Sequence, residues 1–124
     1  MRIIQIGIAA AMVLMASGAM ASELDDAHKE ALRERDTYWN CLAQEYQTVA
    51  QDRNSTVSAP DFTAHIADVC ASERQSFRAS LVGYLSLQFP DVDAGDHMTT
   101  ANKAIALAQK DVVTAFMHHK ESAK

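Results

Sequence analysis

The chain has 124 residues, enough for one small domain and too few for two separate cores. Its 16 acidic residues outnumber 11 basic ones, giving a formal net charge of −5. That balance argues against nucleic acid or an anionic membrane surface as partner, since both call for a basic patch; it admits a cationic partner without requiring one.

The N-terminal stretch reads as a targeting segment. Arg2 supplies a positive start, Ile3–Met15 is apolar except at Gln5 and Gly7, and small residues follow, ending in Ala19-Met20-Ala21. A charged start, an apolar middle and a small-x-small end make up a secretion signal. Residues 1–21 are therefore expected to be a cleaved signal peptide, with Ser22 opening a mature domain over 22–124. A membrane anchor is the rival reading, but the apolar run falls short of the roughly 20 residues a spanning helix needs. No stable membrane insertion is expected after cleavage, and no cysteine stands at the junction to carry a lipid. Losing Arg2 leaves ten basic against sixteen acidic residues, 10 − 16 = −6. The expected location is periplasmic or secreted.

Cys41 and Cys70 both belong to the mature part. In an oxidising compartment such a pair bridges. There is no CxxC to suggest a thioredoxin-like redox site and no CxxCH to attach haem.

The mature chain reads as all-α. Only Pro60, Pro90, Gly83 and Gly95 punctuate it, and no β-branched alternation points to a sheet. The first helix is expected from about Glu23 to Asp52, with Ser22 and Asp25 as a capping box. Its apolar stripe is Leu24, Ala31, Tyr38, Trp39, Leu42, Tyr46 and Val49. Arg53-Asn54-Ser55-Thr56 is then a polar connection, and Asn54-Ser55-Thr56 is a glycosylation sequon in a eukaryotic host. The second helix is expected from about Ala59 to Gln88. Ser58 caps it, Pro60 occupies its first turn and Asp61 completes the box. Its stripe is Phe62, Ile66, Val69, Cys70, Phe77, Leu81, Tyr84 and Leu85. The third is expected from about Ala94 to Lys120, with Asp91, Asp93 and Asp96 at its start and a stripe of Met98, Ala101, Ile105, Ala108, Val112, Ala115 and Phe116. The aspartates also resemble a calcium loop, but the glycine and the closing ligand fall in the wrong places, so they read as a turn and a helix start.

Each helix is apolar on one face and needs partners. Short connections make neighbours antiparallel, so the expectation is an up-down-up three-helix bundle. Cys41 and Cys70 lie equally far from the first connection, roughly 16 Å at 1.5 Å per residue. An antiparallel pair of helices therefore brings them to one height, where an interhelical disulfide forms.

Glu73 falls within the second stripe, between Cys70 and Phe77, where a carboxylate is costly unless paired. Arg35, on the inward face of the first helix, is the candidate partner in a buried ion pair; a polar pocket between helices is the functional alternative. The histidines offer two speculative metal clusters, His65 with His118 and His119, or His28 with His97, because imidazole suits zinc, copper and nickel. Solvated surface histidines are the commoner use, and the spacings match no established motif. There is no GxSxG elbow and no phosphate-cradling glycine loop, and both thiols are committed to the bridge. No catalytic residue and no cofactor is assigned, and an enzyme is not expected.

Trp39-Asn40-Cys41, followed by a second cysteine on a later helix, resembles the small periplasmic acid-stress chaperones. The likeness covers a few residues around each cysteine. The segment between the cysteines is shorter here, and that family's lysine-rich tail is reduced to Lys120 and Lys124. The resemblance implies an exported helical protein that exposes apolar surface at low pH. The leading expectation is a non-enzymatic binding or interaction module with an unknown protein partner, using apolar surface near Val82, Leu87 and Phe89. The acid-stress chaperone and a histidine-based metal-binding protein are the alternatives.

Overall fold

A computed structural model describes the backbone over residues 6–51 and 56–122, and side chains within those ranges from residue 20 onward. Met1–Gln5 of the expected signal peptide, Asp52 to Ser55 of the expected connection and sequon, and Lys124 lie outside the described residues. The described chain is all-helical, with four helices: α1 (Ile6–Gln51), α2 (Ala59–Asp68), α3 (Ala71–Gln88) and α4 (Ala94–Ser122).

Two boundaries depart from expectation. α1 starts well before Glu23 and runs through Ser22 without interruption, so Ser22 caps nothing. Once a helix is nucleated, each further residue adds a hydrogen bond, and the Ala- and Met-rich stretch before Ser22 contains no proline to stop it. The second correction concerns the expected helix over 59–88, which is two helices. Ser58 starts α2 as anticipated, its side chain accepting from Asp61 N–H at 3.2 Å with Pro60 in the first turn. The helix then stops at Val69, in extended conformation (φ −73°, ψ 165°), and Cys70 is left-handed (φ 58°, ψ 39°) before α3 begins. Cys70 is the one non-glycine with positive φ among the described residues. A β-carbon makes that conformation cost about 1–2 kcal/mol, so local sequence does not favour the break; tertiary structure imposes it.

The free carbonyls at the end of α2 are taken up by one side chain. Arg74, in the first turns of α3, donates from Nη1 to Ala67 O at 2.9 Å and to Val69 O at 3.0 Å. Val69 N–H also donates to His65 O at 3.0 Å.

The core gathers Tyr38 and Leu42 from α1, Phe62 and Ile66 from α2, Phe77 from α3, and Ile105, Ala108, Val112 and Phe116 from α4. Tyr38, Leu42, Phe62 and Ile66 are fully buried. Phe62 stacks on Phe116 with centroids 4.0 Å apart, and Tyr38 tilts against Phe77 at 6.3 Å. The buried Tyr38 hydroxyl accepts from Gln109 Nε2 at 3.0 Å, so the core carries no unsatisfied group there. These pairs set the directions. α1 is antiparallel to α3, as His28 against Tyr84 and Tyr38 against Phe77 show. α4 is antiparallel to α2, with Phe62 against Phe116 and Lys120 reaching back to Val57 O just before α2, and to α3, with Arg78 Nε donating to Asn102 Oδ1 at 2.9 Å and His97 beside Phe89 O at the end of α3.

Most of the expected stripes face this core. On α4 the stripe is shifted by one residue at its start: His97 is buried (4% exposed) and Met98 lies out at 42%. His97 Nε2 lies 3.1 Å from Phe89 O, and this contact closes the α3–α4 corner. Ala115 is exposed.

Arg74→Met removes the cap of α2 while keeping side-chain bulk. Charged hydrogen bonds to carbonyls contribute about 1.5–3 kcal/mol when well shielded. Because Arg74 is only half-buried, the expected loss in urea unfolding followed by circular dichroism is about 1–2 kcal/mol. The exposed control Arg33→Met should lose no more than about 0.5 kcal/mol; equal losses would remove the cap from this account.

Candidate functional site

Cys41 and Cys70 are bonded, with their Cα atoms 6.1 Å apart. Cys41 projects from the C-terminal part of α1, and Cys70 is the N-cap residue of α3. The helix break changes the meaning of Glu73. It does not stand in the middle of a continuous apolar stripe; it is the third residue of α3, where a carboxylate is favoured by the helix dipole. The expected Arg35–Glu73 pair is not formed. Arg35 pairs with its neighbour Asp36 at 3.1 Å in an exposed setting. Glu73 is half-buried and turns to the bridge instead, its Oε2 3.8 Å from Cys41 Sγ. Removing the carboxylate from mid-helix removes the need for a buried cation.

The histidines are distributed singly. His65 Nε2 lies 3.0 Å from Glu45 Oε2, across α2 and α1. His119 meets the edge of Tyr46 at 6.2 Å, and His118 is exposed. His28 lies against Tyr84, while His97 is committed to the Phe89 carbonyl. Among the described residues, the single group of three or more metal-ligating side chains with ligand atoms all within 4.8 Å is Cys41, Cys70 and Glu73; neither histidine cluster assembles. Lys29 is the one described ionisable group with a clear shift. Asp25, 3.0 Å away, holds its ammonium above the ordinary value through a hydrogen bond and its charge. The pair is exposed and contributes little to stability.

Two surface features remain. A groove of about 520 Å³ lies where α1, α3 and α4 meet. α1 supplies Arg35, Asp36 and Trp39, α3 supplies Phe77, and α4 supplies Ala104, Leu107 and Ala108. Its origin is steric. Alanines at 104 and 108 lower the α4 surface by one side chain's depth, while Leu107 stands beside them, 58% exposed. The volume lies within the roughly 300–1,000 Å³ of small-ligand sites. The one sequence signal of this groove is an off-stripe leucine, Leu107, between two alanines one turn apart. The second feature is the turn between α3 and α4, where Leu87, Phe89 and Val92 are 43%, 49% and 44% exposed. Leu87 and Phe89 were expected to be exposed; Val82 is half-buried.

No family model, curated protein or solved structure matches this chain. Among the described residues, no helix is long and apolar enough to cross a membrane.

Proposed function

We propose that this protein is a non-enzymatic binding module working outside the cytosol, after loss of residues 1–21, and that the groove between α1, α3 and α4 is its binding surface. The disulfide supports an oxidising location. The groove carries the functional part: apolar walls from Trp39, Phe77 and Leu107, with the Arg35–Asp36 pair on its rim. Such a surface takes a compact apolar group with a polar end, held by burial and oriented at the rim.

Trp39 is the only tryptophan in the chain, so its fluorescence reports the groove directly. Titration with the neutral apolar dye N-phenyl-1-naphthylamine should give saturable binding and energy transfer from Trp39. Leu107→Asp, at an exposed position that leaves the core alone, should weaken that binding about tenfold, the equivalent of about 1.4 kcal/mol. Unsaturable uptake, or unchanged affinity in the variant, would refute the assignment.

A second reading, the acid-stress chaperone, is favoured by the α3–α4 turn, where Phe89 and Val92 alternate with Asp91, Asp93 and Asp96. Protonating those carboxylates removes the charge that screens an exposed apolar tip. On this reading, dye uptake at pH 3 exceeds that at pH 7, is lost in Phe89→Ser, and accompanies suppression of client-protein aggregation. A chain that stays inert towards dye and client at pH 3 rules it out.

A further inference from the structure

We propose that the groove between α1, α3 and α4 is filled by Leu107 of a second copy of this chain, in a twofold dimer that packs α4 against α4. The proposal rests on the reading of that groove as the binding surface and names its occupant. A twofold contact is self-complementary: each residue meets, on the other copy, the position that meets it in return. The exposed face of α4 has that property in shape and in charge.

Residues four apart on a helix form a ridge inclined to its axis. Lys103, Leu107 and Asp111 make one such ridge, and all three are exposed. Ala104 and Ala108 belong to the adjacent ridge, where the surface is low and forms the floor of the groove. A tall row thus lies beside a shallow one on the same helix. Rows of this kind pack into each other at an interaxial angle of about −50°, the commonest class of helix contact. Crossing two α4 helices in this way sets each Leu107 into the other copy's hollow, over Ala104 and Ala108 with Trp39 and Phe77 as walls. It covers a side chain that the single chain leaves 58% exposed.

Charge points to a second copy as the occupant. Lys103 and Asp111 stand at equal distances on either side of Leu107, about 6 Å along the helix axis. Their signs are opposite. With Leu107 near the twofold axis, an antiparallel crossing brings Lys103 of each copy to Asp111 of the other, so the pair forms twice. Neither side chain has an ion pair or hydrogen bond of its own among the described residues. The other charged groups on the groove, Arg35 and Asp36, already pair with each other. A parallel crossing sets like charges together, so charge also selects the direction. A small apolar ligand needs no such symmetry.

The contact is small. One helix crossing covers less than the roughly 800 Å² per partner of a standard interface, so the dimer is weak and forms as concentration rises. The apolar centre supplies affinity. The two cross-pairs supply register, because exposed ion pairs contribute little while like charges brought together are costly.

Sedimentation velocity of the oxidised protein, from micromolar to near-millimolar concentration, tests the dimer. The sedimentation coefficient should rise with concentration towards that of two chains, and Leu107→Asp should stay monomeric throughout. Lys103→Asp sets carboxylate against carboxylate at both ends of the contact and should weaken dimerisation about tenfold or more. Adding Asp111→Lys to it restores opposite signs and should bring dimerisation back to within about threefold of the parent, a rescue that a misfolded variant does not show. A parent protein that is monomeric over the whole range overturns the proposal. If that monomer still binds N-phenyl-1-naphthylamine saturably beside Trp39, the groove reading stands without the dimer. A dimer that persists in Lys103→Asp or Leu107→Asp, or that the double charge exchange fails to restore, also overturns it.

Discussion

The fold depends on one bond placed at a helix break. Joining residues 29 apart in sequence limits the unfolded chain by roughly 3.5 kcal/mol on a chain-entropy account. Holding Cys70 left-handed costs about 1–2 kcal/mol of that. The balance favours the bridged, broken arrangement, and the two carbonyls capped by Arg74 shift it further. For a domain of this size a margin of a few kcal/mol is a large share of total stability.

The break lets one limb of the fold meet two different partners. α3 lies along α1, with Phe77 against Tyr38 and Tyr84 against His28. α2 turns to α4, where Phe62 stacks on Phe116. Lys120 at the end of α4 sits 5.3 Å from the Phe116 ring centroid and donates to the Val57 carbonyl, fastening the entry to α2. The same arrangement brings Trp39, Phe77 and the alanine-lined side of α4 together, so the groove is a consequence of how the limbs are shared out.

Much of this could be read from local sequence. The start of α2 was legible because Ser58, Pro60 and Asp61 act within one turn, and the start of α4 because proline and aspartates mark it. The partnership of Cys41 and Cys70 followed from their being the two cysteines of a chain read as exported, with helix rise placing them at one height. The break at Val69-Cys70 was not legible, because neither residue is glycine or proline and the apolar spacing runs on through them. Its cause lies 29 residues away, in the cysteine of another helix. That single miss produced the next one. Counted along an unbroken helix, Glu73 stands in an apolar stripe and calls for Arg35; counted from a new helix start, it occupies an acid-favouring position. The exchange of His97 and Met98 has a similar origin, since the Phe89 carbonyl that receives the imidazole is supplied by the turn and not by α4 itself.

The left-handed conformation of Cys70 tests this account most directly, and nuclear Overhauser spectroscopy on the oxidised protein measures it. A positive φ brings the amide and α protons of one residue close together. The account predicts an intense intraresidue contact at Cys70 and a gap in the sequential amide–amide contacts between Val69 and Cys70. An unbroken helical contact pattern from Ile66 through Glu73 would contradict it.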